Sequence, residues 1–161
     1  MKYRVLLLAV RDMEASKAFY QDVLGMKITC DLGANVTLDG VLALQTLDTW
    51  RQLIERDNVT LENNAAELYF EEWDMDALMS RLAGYEIHYV HGLKEQPWAQ
   101  RAVRFYDPDG HIIEVGEAMP AVVRRLLGQG MTLENAADRL GIPLEAVREM
   151  ADIPAGGKLA P

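Results

Sequence analysis

The sequence has one cysteine, Cys30, so no disulfide can form within the chain and nothing calls for an oxidising compartment. Long hydrophobic runs are missing too. The longest, Val5 to Val10, falls far short of a bilayer span, and no membrane partner is expected. The first residues lack a basic segment leading into an apolar stretch and a small-residue cleavage site, so a cytoplasmic location is expected. Basic residues are in deficit, with 16 Lys and Arg against 25 Asp and Glu, for a net charge of −9. The deficit lies wholly in residues 1–118, because residues 119–161 carry five of each sign. An acidic body repels phosphate backbones, which argues against a nucleic-acid partner; it favours solubility and attracts cations. What is present is an ordinary globular composition, half hydrophobic and a quarter charged, in 161 residues. That length suffices for one compact domain or two small modules sharing a core.

Two stretches follow one plan. The first opens with the apolar Tyr3–Val10, places Asp12 at a helix N-cap, and continues with Phe19, Val23 and Leu24 on one helical face up to Gly25. The second opens with the strand-like Glu67–Glu71, places Asp74 at a cap, and continues through Leu78, Met79 and Leu82 to Gly84. The tetrapeptides Asp12-Met13-Glu14-Ala15 and Asp74-Met75-Asp76-Ala77 stand at equivalent places in an internal repeat of about sixty residues, too long for a solenoid. Strand-sized pieces follow each helix: 26–32, 35–38 and 41–46 in the first half, 86–91, 101–106 and 111–116 in the second. Gly33, Asp39-Gly40 and Asp107-Pro108-Asp109-Gly110 mark the turns between them. The expected architecture is α+β, with two βαβββ modules, about 1–47 and 65–118, joined by a linker helix within 48–64.

Residues 119–150 differ in kind. Three helical patterns occur there, and Ala137, Gly141 and Val147 have the spacing of a helix-turn-helix: a small residue for close approach, a turn, and a residue packing back. The charge does not suit DNA, since the third helix carries Glu145 and Glu149 against Arg148. A helical extension packing on the main body or on a partner subunit is the expected role, with 151–161 a flexible tail.

The stretch from Val10-Arg11-Asp12 through Phe19-Tyr20 to Val23-Leu24-Gly25-Met26, together with Phe105-Tyr106-Asp107-Pro108-Asp109-Gly110-His111-Ile112-Ile113-Glu114-Val115, resembles the vicinal-oxygen-chelate superfamily. That superfamily includes glyoxalase I, bleomycin-resistance proteins and extradiol dioxygenases. The resemblance covers residues 3–118 and implies paired βαβββ modules whose curved mixed sheets enclose a pocket. It also implies a homodimer built by pairing modules across two chains. It does not imply one reaction, because the superfamily spans lyases, oxygenases, transferases and binding proteins.

In metal-dependent members the first and last strands of each module supply the ligands. Counting back seven residues from Asp74 and Asp12 places Glu67 and Val5 at the first-strand positions. Glu114 matches the last-strand glutamate, and its first-module counterpart is Leu44, or Gln45 if the strand slips or bulges by one residue. Glu67, Glu114 and Gln45 are therefore the candidate ligands for a divalent metal such as Mn²⁺, Mg²⁺, Ni²⁺ or Zn²⁺, and Val5 offers no donor. Glu67 and Glu114 are also the candidate catalytic groups, either of which would serve as the base in a glyoxalase-type proton transfer. The structural alternative is that each is hydrated or paired with Arg101 or Arg104. No histidine holds a ligand position: His111 alternates away from Glu114, and His88 and His91 stand on an earlier strand.

Strand alternation adds Tyr69 and Glu71 beside Glu67, and Leu7 beside Val5, as candidate substrate contacts. The segment Gln96–Arg101 resembles a family stretch that usually has glycine where Ala99 stands, and Trp98 and Arg101 suit a planar or anionic part of a ligand. The leading expectation is a glyoxalase/bleomycin-resistance-like protein that binds a small molecule in a carboxylate-containing pocket. Alternatives are a divalent-metal-dependent lyase or isomerase and a ligand-responsive regulator acting through the C-terminal helices.

Overall fold

The repeated aspartate caps set the register of both modules. In the computed structural model, which describes residues 1–156, Asp12 accepts from the Ala15 amide at 3.0 Å and starts α1 (Met13–Ala18). Asp74 accepts from the Asp76 and Ala77 amides and starts α3 (Met75–Leu82). Each cap satisfies amides that the first helical turn leaves without a carbonyl partner. The helix α1 runs on into one π-helical turn, Phe19–Val23.

Eight strands form two four-stranded mixed sheets. The first has the order β1 (Leu6–Val10), β4 (Leu42–Thr46), β3 (Asn35–Leu38), β2 (Ile28–Asp31). The second has the order β5 (Glu67–Glu72), β8 (Ile112–Glu117), β7 (Arg101–Tyr106), β6 (Tyr89–Glu95). The same order in both is the structural form of the sequence repeat, and the α+β, two-module expectation holds. Helix α2 (Leu47–Ile54) follows β4 directly. Several boundaries differ from the sequence reading, most of all in β1 and β6. β1 is shorter than Tyr3–Val10, and β6 starts at Tyr89 rather than 86 and runs to Glu95 through register shifts around His91 that the apolar pattern does not record.

The chain forms two compact units: residues 1–67 with 106–112, and residues 68–105 with the chain from Ile113 on. In the first, Val10, Tyr20, Val36, Leu38 and Leu44 are fully buried. The turn Asp107–Gly110 is bound into this core by its carboxylates. Asp107 accepts from the Tyr20 hydroxyl at 2.8 Å, from the amides of Asp109 and His111, and lies 2.9 Å from His111 Nδ1. Asp109 accepts from the Arg11 amide and the Ser16 hydroxyl. Burial pushes Asp107 up, but the His111 and Tyr20 bonds outweigh it and leave its carboxyl below the usual range. Burial and the Asp107 charge push the Tyr20 phenol well above its ordinary value.

In the second unit, Met75, Leu78 and Leu82 of α3 are buried. Beyond β8 come α4 (Met119–Gly128), α5 (Leu133–Leu140) and α6 (Leu144–Asp152). They share one apolar cluster, which includes Val122, Val123, Leu126, Ala136, Ala137, Leu140 and Val147. Gly141 ends α5 at φ +68, a conformation that glycine adopts without strain. Ala99 belongs to the same cluster. It holds φ +66 with its side chain fully buried, so a methyl in a glycine-type conformation fills space against the helices. Helix α6 reaches Asp152, two residues into the stretch expected to be flexible; residues 157–161 of that stretch lie outside the described residues.

Replacing Tyr20 by phenylalanine keeps the ring and removes a buried hydroxyl–carboxylate bond. Urea denaturation of Tyr20→Phe is expected to show a loss of about 1–3 kcal/mol, and unchanged stability would show that His111 alone secures the turn.

Candidate functional site

Along β5, Glu67, Tyr69 and Glu71 are exposed, while Leu68, Phe70 and Glu72 are half-buried. Gly116 on the neighbouring strand β8 fixes which face Tyr69 overlies. A Cβ at Gly116 would come within 2.7 Å of Tyr69 Oη and 2.9 Å of Gln100 Nε2, so only glycine admits both side chains across the strand. Glu114, two residues earlier on β8, shares that face. Glu114 is 5% exposed and ion-paired with Arg104 of β7, whose guanidinium lies 3.3 Å from His91 Nε2 on β6. The rim is a relay of side chains: Trp98 Nε1 donates to Gln100 Oε1 at 3.0 Å, and Gln100 Nε2 donates to Tyr69 Oη at 3.0 Å and to the Glu117 carbonyl at 2.9 Å. Burial pushes the Tyr69 phenol up, and the Glu71 charge adds to it. One face of the second sheet thus gathers a buried carboxylate–guanidinium pair, an imidazole, a phenol and an indole.

The sequence candidates divide between two faces and two units. Glu114, Tyr69, Glu71 and Trp98 belong to the face just described or to its rim. Arg101 does not. With Val103 and Phe105 it alternates to the other side of β7, where it pairs with Glu117 at 3.2 Å and Asp76 at 3.0 Å. Glu67 opens β5, exposed and within the first unit. In the first sheet, Leu7 pairs with Ala43 and Ala9 with Gln45, so Leu7 and Gln45 share a face, whereas Leu44 turns the other way with the buried Val36, Leu38 and Leu42. The amide of Gln45 is already engaged: its oxygen accepts from Asn35 at 2.8 Å and its nitrogen donates to Thr49.

These residues do not fit a tight metal centre. Among the described residues no three His, Cys, Asp or Glu side chains come together as ligands. The Glu114 carboxylate is held by Arg104, the Gln45 amide is bonded on both sides, and Val5 has no donor atom.

The sequence did not single out Gln100, Glu117 or Arg125. The Glu117 carboxylate, 2% exposed, lies between Arg101 and Arg125, with Arg125 Nη2 at 2.8 Å. Arg125 also reaches Glu95 and donates to the Ala99 carbonyl, while Arg139 of α5 reaches Glu95 and the Pro97 carbonyl. Burial pushes Glu117 up, but its bonds to Arg125 and Arg101 outweigh this and hold it below the usual carboxylate range. The one signal for it was parity: three residues after Glu114, it must face the opposite side.

Comparison with known proteins supplies the family context. A family model described as a glyoxalase-like domain matches residues 3–120. The fold is similar to a crystal structure of a protein of unknown function from Agrobacterium tumefaciens, 38% identical over 73% of this chain and 94% of that one, with a TM-score of 0.66. It is also similar to a glyoxalase-related enzyme from Fulvimarina pelagi, at 22% identity, 73% and 88% coverage and a TM-score of 0.63. A third similar structure is a lactoylglutathione lyase from Agrobacterium tumefaciens, at 23% identity, 73% and 94% coverage and a TM-score of 0.58. At such identities the last two speak for the fold alone. Residues 121–161, which supply Arg125 and Arg139, lie outside the family match.

A carboxyl held below its unfolded value stabilises the fold above that value, and the contribution is lost as pH falls through the folded value. Glu117 should therefore contribute fully at neutral pH and lose its effect below the ordinary glutamate range. Glu117→Gln is expected to lower stability at pH 7 by about 3 kcal/mol and to flatten the acid limb of the stability–pH curve. Parallel curves for both proteins would contradict this.

Proposed function

The chain belongs to the glyoxalase-like domain family of the vicinal-oxygen-chelate superfamily, and on that premise we propose that it binds a small molecule over the Glu114–Arg104 face of the second sheet. The observation that carries this reading is the ion pair itself. A buried pair in a strand that is otherwise Ile112-Ile113 and Val115 gains little stability over apolar residues of the same size. Its value lies in offering a ligand an oriented acceptor and donor, with 27% of the Arg104 side chain left exposed. Tyr69, Trp98 and Glu71 would contact the ligand's outer parts. A sequestration or resistance role follows, in a cytoplasmic homodimer of the kind the family resemblance implies.

Members of this family commonly use divalent metals. Mn²⁺, Mg²⁺, Ni²⁺ or Zn²⁺ at Glu67, Glu114 and Gln45 would make the protein a lyase or isomerase, but Arg104 would first have to release Glu114. The metal-free reading is therefore preferred. A second reading, in which the ligand acts on the helical extension, rests on Arg125 and Arg139. Both hold the β6–β7 loop, in which Trp98 donates to Gln100 and Gln100 donates to Tyr69.

A thermal-shift screen of small polar molecules, followed by calorimetry of the hits, tests the proposal. Binding is expected to weaken about tenfold or more in Glu114→Gln and in Arg104→Met, the loss of one good charge-assisted contact. Hits that bind both variants as tightly as the parent would refute it. Calorimetry with Mn²⁺, Ni²⁺ and Zn²⁺ is expected to show no binding of about micromolar strength. Micromolar binding abolished by Glu114→Gln would replace the proposal with the metal-dependent lyase.

A further inference from the structure

On the side of β7 and β8 facing away from Glu114, the second unit has a groove of about 360 Å³. That is at the small end of the range for ligand sites. Trp73 forms one wall, Ala121 of α4 and Ala155 add apolar surface, and Arg101, Arg124, Arg125, Asp74 and Glu117 supply the polar atoms. Within that lining three guanidiniums face two carboxylates, and Arg124 is the one without a carboxylate partner among the described residues.

The carboxylates are already engaged. Asp74 caps α3, and Glu117 accepts from both Arg101 and Arg125. Outside the groove's own lining, Asp76 and Glu95 take the outer nitrogens of Arg101 and Arg125. The donors are not used up in the same way. Arg101 Nε is buried and has no hydrogen-bond partner among the described residues. Arg124 has no carboxylate partner among them: it donates to the Ile153 carbonyl and lies 5.7 Å over the Trp73 ring. A buried donor without an acceptor costs about 1–3 kcal/mol and calls for an explanation such as a bound anion. An aromatic wall beside such donors suits a flat ligand with an anionic oxygen.

We propose that this groove is a second ligand site, separate from the Glu114 face, for a small planar carboxylate. Its carboxylate accepts from the Arg124 guanidinium, and its ring packs on Trp73.

Calorimetry on the full chain at low ionic strength tests this, with benzoate as the probe and benzamide as its neutral counterpart. Benzoate is expected to bind saturably at about millimolar Kd, and benzamide about tenfold more weakly or worse. Arg124→Gln should weaken benzoate about tenfold. Arg148→Gln, which removes the same charge from an exposed site on α6, should leave the affinity unchanged. No saturable benzoate binding up to roughly 20 mM overturns the proposal. So does equal binding of benzamide, or equal weakening by the two arginine substitutions.

Discussion

A carboxylate taken out of water must be paired, because leaving it bare costs several kcal/mol. Among the described residues the buried acids are Asp107, Asp109, Glu114 and Glu117, all within the one hairpin that closes the glyoxalase-like domain. Much of the structure follows from how each is satisfied. Asp107 and Asp109 collect Tyr20, Ser16 and the Arg11 amide, and so tie the turn to α1 and the end of β1. Glu114 takes Arg104. Glu117 takes Arg101 and, from the helical extension, Arg125.

The two glutamates of β8 stand three residues apart and so face opposite sides, as do Arg101 and Arg104 on β7. Each face therefore has its own pair, and the two pairs differ. The Glu117 pair is extended by Arg125 to the Ala99 carbonyl and to Glu95, and Arg139 adds the Pro97 carbonyl. The Ala99 methyl sits among α4, α5 and α6 at the same point. Together these fix the loop whose Gln100 spans from Glu117 on one side to Tyr69 on the other. The extension is thus connected to Tyr69 through one loop and one amide side chain.

Sequence reading recovered what depends on local pattern. The caps at Asp12 and Asp74, the doubled strand–helix–strand–strand–strand succession and the spacing of Ala137, Gly141 and Val147 all follow from periodicity and turn chemistry. The choice of partners was beyond it. Nothing in the spacing says that Arg104 rather than Arg101 takes Glu114, because that depends on the register of β7 on β8. The same limit left Leu44 and Gln45 undecided, because which of the two shares a face with Leu7 depends on how β4 pairs with β1. Gln100 was missed because its importance comes from Gly116, a residue whose effect is to leave room for others.

The contrast between the two pairs bears on function. Glu117 is held by Arg101 and by Arg125, which also grips the Ala99 carbonyl, so its neighbourhood is fixed by the fold. Glu114 has its charge matched within the sheet, and its partner's side chain keeps 27% of its surface open. A ligand that arrives there meets donors and acceptors already aligned, and need not reorganise the protein to use them. A metal would meet the reverse, an acid whose counter-ion must be displaced before it can coordinate. The last-strand glutamate that the resemblance pointed to is, in this chain, already paired with an arginine, and the proposal of an organic ligand rather than a cation rests on that pair.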